Sequence, residues 1–325
     1  MRTAFIETLF ELAQQDPRIT LVTGDLGFGV VTRFMQELPK QFVNAGVAEQ
    51  NMTGLAAGMA LSGKIVFTYS IANFPVIRCL EQIRNDVCYH DANVKVVAVG
   101  GGMAYGSLGA SHHATEDIAV TRALPNMLVV APNDPVEARL ATHAVAARQG
   151  PCYLRLGKTG EAIVHKGDIE FELGKSIKVL EGDDVTLIVT GGLLPNAIKV
   201  AKILAQRDVK ARVLSMHTVK PLDNDAVLAA ARETRAVFTI EEHSVVGGLG
   251  GAVAETLMEQ HNRPVTFRRI GLSGQFSCLV GDQEYLRAQH GLDPSGILST
   301  IEEVLRSSVD RAREINGHEL RVAGS

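Results

Sequence analysis

A carboxylate at a predicted helix start is the first side chain of this sequence suited to chemistry. Glu49 lies in segment 44–52, where a short strand is predicted to end at Gly46 and a helix rich in glycine and alanine begins at once. In the first turn of that helix, a carboxylate complements the positive end of the helix dipole. The alternative is a buried acid that hydrogen-bonds a nitrogen of a cofactor. The position alone leaves both interpretations open.

Two adjacent histidines form the second candidate group. His112 and His113 end a glycine-rich stretch, 100–113, and precede a helix that begins Thr-Glu-Asp. A long loop in a compact domain is usually functional or disordered. An imidazole changes protonation near neutral pH, which suits proton transfer. A catalytic or ligand-binding role is favoured for His112, whereas His113 suits packing or capping at the helix equally well.

Both candidates follow strands in a chain where strands and helices alternate. Continuous Val/Ile runs predict strands at 19–23, 64–69, 94–102, 127–131, 184–192, 209–216, 235–243 and 264–271, with 94–102 running into glycine. Helical patterns lie between them, including 48–62, 74–90 and 134–149. Unbroken apolar runs are typical of parallel strands that helices cover on both faces. The expected class is α/β, with mostly parallel sheets, and ligands are expected at the carboxyl ends of the strands.

A break in the pattern divides the chain into two domains. We predict one domain at 1–160, a linker at 161–176 that includes a short hairpin, a second domain at 177–305 and a polar tail at 306–325.

The glycine-rich segment 247–251 looks like a nucleotide loop but lacks the acidic residue expected further on. Tight packing of helix on strand is favoured there. His217 and His243, at strand ends of the second domain, are expected to be structural.

Composition excludes several classes of function. The 325 residues carry a net charge of −4, which does not indicate a nucleic-acid or membrane binder. The four cysteines form no C-x-x-C pair or zinc-ligand spacing, so buried free thiols are expected. The N-terminus lacks a signal-peptide pattern, and no run approaches a membrane span. We therefore expect a cytoplasmic protein.

Several motifs in order carry a family resemblance. GVAEQN, AAGMAL, R-x-x-EQIRND and SHHATEDIAVTRALPNMLVVAPND are similar to the pyrimidine-binding domain of transketolase and deoxyxylulose-phosphate synthase. DVTLIVTGG, VLSMHTVKPLD and EEHSVVGGLGGAVAE resemble the C-terminal domain of transketolase. The resemblance covers residues 1–305 and implies these two domains.

The resemblance also implies a cofactor and a partner. Transketolases hold thiamine diphosphate between a domain that binds diphosphate with a divalent metal and one that binds the aminopyrimidine. This chain resembles the second only, because segment 24–27, Gly-Asp-Leu-Gly, lacks the spacing of the metal motif. The resemblance therefore implies an N-terminal transketolase subunit that binds the diphosphate and Mg²⁺, within a heterotetramer of two copies of each chain.

Site residues follow from the same resemblance. Glu49 matches the glutamate that protonates the pyrimidine ring and so activates the cofactor. His112 matches the histidine of a Thr-His-Gln motif that contacts substrate oxygens, with His113 in place of the glutamine. Phe74 and Tyr69 are the candidates for stacking on the aminopyrimidine. Asp25 is implied to contact the cofactor, and Arg2 and Arg155 are implied to bind the substrate phosphate.

Three departures alter the implied substrate pocket. Leu108 replaces an aspartate that reads a donor hydroxyl, Gly100 replaces a substrate-binding histidine, and Gly29 replaces a serine. A lost polar contact costs on the order of 1–3 kcal/mol when the groups left behind are buried. The resemblance thus implies transfer of a two-carbon ketol unit to an aldose from a deoxy, branched or otherwise modified ketose.

Two other functions remain as alternatives. The beta subunit of a 2-oxo-acid dehydrogenase first component has a similar length and also needs a partner. Glu116, four residues after His112, and the following ALPN favour transketolase. A catalytically inactive regulatory paralogue is the other alternative; the presence of Glu49 and His112 argues against it.

Overall fold

The computed structural model describes residues 1–260 and 263–307 of the chain. Within them, seven strands form one sheet and five form a second, and helices cover both. The predicted α/β class with mostly parallel sheets is confirmed. The predicted polar tail lies outside the described residues from residue 308 onwards.

The strands follow the continuous apolar runs of the sequence. They are β1 Ile19–Thr23, β2 Phe42–Asn44, β3 Ile65–Ile71, β4 Val94–Val99, β5 Leu128–Val130, β6 Cys152–Leu156, β7 Ile177–Leu180, β8 Val185–Thr190, β9 Ala211–Ser215, β10 Thr218–Lys220, β11 Ala236–Ser244 and β12 Thr266–Leu272. Every residue of β1, β4, β6, β8 and β11 is buried, which is why these strands show no polar alternation.

The strand order places the segments that follow β1, β2, β3 and β4 beside one another. The first sheet has the order β10-β5-β6-β4-β3-β1-β2, in which β10 alone is antiparallel, and the second has the order β12-β11-β8-β9-β7. Glu49, Phe74 and His112 follow β2, β3 and β4, which lie within four consecutive strands of this sheet. β10 belongs by sequence to the predicted second domain, yet it joins the first sheet, so the two domains share a sheet.

Helices pack on both faces of each sheet. They are α1 Arg2–Gln15, α2 Thr32–Glu37, α3 Glu49–Leu61, α4 Asn73–Val76, α5 Leu80–Gln82, α6 Asp117–Ala123, α7 Pro135–Ala147, α8 Leu194–Ala205, α9 Asn224–Glu233, α10 Leu249–Gln260 and α11 Gln283–Gln289; residues 294–307 are also helical. α1 and α7 bury Phe5, Leu9 and Ala141 in one apolar core, and α3 buries Met52 and Ala56 in the core of the opposite face.

Two predicted elements differ from the structure. The helix predicted at 74–90 is broken into α4, α5 and a π-helix, Ile83–Tyr89. The linker forms no hairpin within residues 161–176, all of which are described. It is held instead by α7: the Asp134 carboxylate accepts the N–H groups of Val164 and His165, and His165 Nε2 lies 2.7 Å from Glu137 Oε1. These contacts come from distant residues, which is why local pattern did not predict them.

Candidate active site

Glu49 is the first residue of α3 and is only 3% exposed. Arg78, in the break between α4 and α5, donates from Nη1 to Glu49 Oε2 at 2.7 Å. Oε1 has no hydrogen bond within residues 1–260 and 263–307. The carboxylate is thus buried and held by one cation, with one oxygen left to share a proton or a hydrogen bond.

Phe74 and His112 lie next to this pair. Their rings meet edge to face, with centroids 5.1 Å apart, and the guanidinium carbon of Arg78 lies 5.0 Å from the centre of the Phe74 ring. His112 Nδ1 lies 3.1 Å from Ser111 Oγ. The structure therefore brings three predicted site residues into a chain of contacts, Glu49 to Arg78 to Phe74 to His112. The sequence reasoning did not identify Arg78 as a site residue, although it lies in the quoted R-x-x-EQIRND motif.

Tyr69 does not lie in this group. Its ring is 1% exposed and packs parallel to Phe5 of α1, with centroids 6.2 Å apart. Burial raises the pKa of its hydroxyl far above the ordinary value. The prediction that Tyr69 stacks on a cofactor is wrong, because its place on β3 directs the ring into the core.

Asp25 is exposed and adopts a left-handed backbone conformation, with φ 55°. Its carboxylate accepts a hydrogen bond from Asn44 Nδ2 at 2.8 Å, and its own N–H donates to Asn44 Oδ1 at 3.1 Å. This reciprocal pair ties the end of β1 to the end of β2. It fixes the turn beside Glu49, and the cofactor contact implied for Asp25 stays a prediction.

His113 faces inward, unlike His112. It is 5% exposed, and burial lowers the pKa of its imidazole. Its Nε2 has no hydrogen-bond partner in the described part of the chain. A small space beside it is lined by Met103, Ser277 and His290. The substrate contact implied for His113 stays a prediction, and the imidazole faces the second domain.

The two predicted phosphate-binding arginines have different surroundings. Arg2 is half-buried, and its Nε has no partner among the described residues. Arg155 is 2% exposed, and its Nε donates to Asp117 Oδ2 at 2.7 Å. Its Nη2 donates to the carbonyls of Ala114 and Glu242 at 2.9 and 3.0 Å. Arg2 is thus free to bind an anion, whereas most of the Arg155 fork is already engaged within the protein.

Tyr105, in the glycine-rich stretch before His112, is a residue that the sequence reasoning did not single out. The space above Gly100 is filled by its ring, which a Cβ at Gly100 would overlap. Lys158 Nζ lies 4.6 Å from the centre of the same ring. Burial raises the pKa of the Tyr105 hydroxyl, and the charge of Arg2 offsets part of that rise. Gly100, where the family has a histidine, could have indicated this, because a missing side chain leaves volume that a neighbouring ring can fill.

A cleft of about 460 Å³ lies between the domains, away from Glu49 and His112. Gly101, Arg155, Lys199 and Arg287 line part of it. Arg287 is paired with Glu242 and Glu284. Within the described residues no group of three His, Cys, Asp or Glu side chains is arranged to hold a metal ion.

The glycine-rich segment 247–251 does not form a nucleotide loop. Glu241 accepts the N–H groups of Leu249 and Gly250 at 2.7 and 2.8 Å, so a carboxylate of the chain itself occupies the start of α10. A Cβ at Gly250 would lie 2.8 Å from Thr239 Oγ1, which confirms the tight packing of helix on strand.

The two histidines of the second domain are fully buried. Burial lowers the pKa of both to about 4. His243 Nδ1 lies 2.7 Å from the carbonyl of Ser244, and its Nε2 accepts the N–H of Ala119 at 3.3 Å. His217 stacks on Phe171, although its Nε2 has no partner among the described atoms. His243 is thus buried and hydrogen-bonded at both ring nitrogens, as expected, whereas the structural role expected for His217 stays a prediction.

Three of the four cysteines are buried free thiols. Cys79, Cys88 and Cys152 are buried and free as predicted, whereas Cys278 is exposed, which corrects the expectation for that residue. No helix in the described ranges is long and apolar enough to cross a membrane.

Family models match both halves of the chain. Residues 1–160 match the transketolase pyrimidine binding domain, and residues 174–297 match the transketolase C-terminal domain. The chain is 42% identical to one of the subunits of the apulose-4-phosphate transketolase of Phocaeicola vulgatus, covering 94% of this chain and 97% of that one. It is 40% identical to the SqwH subunit of the 6-deoxy-6-sulfo-D-fructose transketolase of a Clostridium species, covering 94% of each.

Solved structures agree. A split-gene transketolase, described as an inactive beta4 tetramer, superposes with a TM-score of 0.85 at 38% identity, covering 94% of this chain and 97% of that one. The transketolase of Campylobacter jejuni has the same fold, with a TM-score of 0.79 at 17% identity, and this chain spans 46% of its length and is itself 93% covered. The chain belongs to the transketolase family and consists largely of its pyrimidine binding and C-terminal domains.

Proposed function

We propose that this chain, with an N-terminal subunit, transfers a two-carbon ketol unit from a modified ketose donor to an aldose acceptor. The observation that carries the proposal is the buried Glu49 carboxylate at the carboxyl edge of the first sheet, next to Phe74 and His112. The relatives named for apulose 4-phosphate and 6-deoxy-6-sulfo-D-fructose support a branched or deoxy donor.

The residues at this edge fit an aminopyrimidine. Glu49 offers a desolvated carboxylate with Oε1 unengaged, and Phe74 offers a half-buried aromatic ring beside it. When bound, thiamine diphosphate supplies the carbon nucleophile and the electron sink for breaking the carbon–carbon bond. The chain contributes no metal cluster in its described part. We assign Mg²⁺ and the diphosphate to the N-terminal subunit.

The side chains of this chain then have separate tasks. Glu49 Oε1 would hydrogen-bond the pyrimidine ring of the bound cofactor, and Arg78 keeps the carboxylate oriented through Oε2. His112, half-buried and held beside Ser111, donates to or accepts from substrate oxygens. Arg2, which lacks a partner at Nε in the described structure, binds the anionic end of the donor.

The pocket departs from that of a pentose-phosphate transketolase. Leu108 is 52% exposed, so an apolar side chain stands where the family has an aspartate. Tyr105 fills the volume at Gly100. These changes remove hydroxyl-reading groups, which favours a donor that lacks one of the usual hydroxyls or carries a branch.

The test is reconstitution with the chain encoded next to this one. The two chains are co-expressed, supplied with thiamine diphosphate and Mg²⁺, and offered a panel of ketoses with ribose 5-phosphate as acceptor. We expect two-carbon transfer that needs both chains, and native mass spectrometry should show two copies of each. Decarboxylation of a 2-oxo acid without ketose turnover would instead indicate the dehydrogenase class.

A substitution at Glu49 tests the carrying observation. Glu49→Ala should reduce kcat to less than about a tenth of the wild-type value, a loss of at least roughly 1.4 kcal/mol, while the thermal midpoint of the chain stays close to that of wild type. Glu11→Gln, an exposed acid on α1, is the matched control and should leave both unchanged. Turnover retained above a tenth in Glu49→Ala contradicts the assignment.

A further inference from the structure

We propose that Glu242, in β11 of the second domain, is a positioning residue for catalysis because it clamps the loop that carries His112. The loop is residues 102–114, called here the His112 loop. The catalytic purpose of the clamp rests on the proposed function, whereas the clamp itself follows from contacts within this chain. It gives the second domain a task in the reaction, although no described residue of that domain pairs with the Glu49 carboxylate.

The His112 loop is closed at its base. The N–H of Gly102 donates to the carbonyl of Ala114 at 2.9 Å, and the N–H of Ala114 donates to the carbonyl of Gly102 at 2.9 Å. Between these two residues the chain forms only short 3₁₀ turns. Beside His112 itself, Asn73 Nδ2 donates to the carbonyl of Ser111 at 2.8 Å, so the position of His112 depends on this contact and on what holds the base.

Glu242 holds one side of that base. Its carboxylate is 1% exposed, and its Oε1 accepts the N–H of Met103 at 2.6 Å. Charge-assisted hydrogen bonds of this kind are short and strong. Gly102 has φ +67°, and a Cβ there would lie 2.5 Å from Glu242 Oε1. A glycine is thus needed both for the backbone conformation and for the close approach of the carboxylate.

The other side of the base is tied to the same residue through Arg155. Its Nη2 donates to the carbonyl of Ala114 at 2.9 Å and to the carbonyl of Glu242 at 3.0 Å. Both ends of the His112 loop are therefore attached to a single residue of β11. This arrangement also explains why the Arg155 side chain is 2% exposed.

The carboxylate of Glu242 is itself fixed by α11. Arg287 Nε donates to Oε2 at 2.6 Å, and Gln283 Nε2 donates to Oε1 at 2.9 Å. A rigidly held acceptor transmits its position to the loop, and a displacement of about 1 Å at a reacting group can cost about a hundredfold in rate. Glu242 is thus suited to set the placement of His112 without touching substrate.

Hydrogen exchange on the isolated chain tests the clamp without any reaction. In Glu242→Ala, peptides covering 103–113 should exchange about tenfold faster or more, with a smaller increase in Glu242→Gln, and α8 should be unchanged. Glu284→Gln is the matched control: Glu284 accepts from Arg287 Nη1 at 2.6 Å but is 72% exposed and does not touch the loop. Unchanged loop exchange in the Glu242 variants, or an equal increase in the control, overturns the clamp.

Kinetics of the reconstituted enzyme test its purpose. Glu242→Gln should lower kcat/KM for the donor several-fold, whereas the Kd of thiamine diphosphate, measured by fluorescence quenching, should change far less, because Glu49 and Phe74 are positioned by α3 and α4 and Phe74 only touches His112 at a ring edge. If Glu242→Ala does not fold, the comparison of Glu242→Gln with Glu284→Gln decides. A faster-exchanging loop with wild-type kinetics overturns the catalytic role. Absence of ketol transfer in the wild type counts against the proposed function and leaves the exchange result standing.

Discussion

Replacing Arg155 with methionine distinguishes a structural arginine from a phosphate-binding one. Burial alone would lower the pKa of Arg155, but the neighbouring Asp117 carboxylate and Tyr153 outweigh burial and raise it, so the guanidinium is charged in the interior. Methionine has a similar length, yet it leaves Asp117 without its cation. Breaking a buried ion pair by removing one partner costs about 3–5 kcal/mol. We expect the free energy of unfolding to fall by that amount.

The assay is urea unfolding of the chain alone, without partner, cofactor or substrate. Arg2→Met is the matched comparison, because Arg2 is half-buried and forms no ion pair within the described structure. Its cost should stay below about 1 kcal/mol. In the double variant Arg155→Met with Asp117→Asn, part of the loss should be recovered, because the unpaired buried charge is removed.

One result would refute this reasoning. If Arg155→Met unfolds within about 1 kcal/mol of the wild type and raises KM for a phosphorylated donor, then Arg155 binds substrate. The phosphate role implied by the family resemblance would then be correct, and the ion pair with Asp117 would be incidental to stability.

Three further predictions concern other parts of the chain. Ellman's reagent should titrate one of the four thiols rapidly in the native chain, Cys278, because the others are buried and burial raises the pKa of Cys152 to about 12; rapid titration of more than one contradicts the assigned burial. Burial by itself would lower the pKa of the His165 imidazole, but the hydrogen bond and charge of Glu137 outweigh burial, so the pKa is raised. The His165–Glu137 pair therefore stabilises the fold fully below about pH 6.5, and its contribution is lost as the pH rises through the raised pKa. Between about pH 6 and pH 9, the free energy of unfolding in urea should therefore fall less for His165→Gln than for the wild type. An equal fall in the two proteins would contradict the role assigned to the His165–Glu137 pair. Tyr105→Ala should change the ratio of kcat/KM between two donors by about tenfold or more, because it opens the volume at Gly100; an unchanged ratio would place Tyr105 outside the donor pocket.

Much of the fold followed from local pattern. The strand predicted at 19–23 agrees with β1, and the helix predicted at 48–62 agrees with α3, because continuous apolar runs and small-residue periodicity are local properties. The rule that ligands lie beyond the carboxyl ends of parallel strands brought Glu49, Phe74 and His112 into consideration together. The structure confirms that Phe74 and His112 touch.

Other features escaped the sequence for a common reason. Tyr69 was predicted at the pocket, but the register of β3 turns its ring towards Phe5. β10 leaves its own domain to pair with β5. Both depend on which surfaces are left to bury when the sheets assemble. The residues adjacent in the sequence do not indicate which surfaces become buried.

The sequence by itself determined the alternation of strands and helices, the acid at the start of α3 and the glycine-rich loop before His112, since each rests on residues close together in the chain. Tertiary structure decided the partners of the charged groups. Arg78 reaches Glu49 across 29 positions, and Glu242 reaches Met103 across 139. A carboxylate buried in an apolar interior needs a donor, and only packing decides which distant donor is within reach.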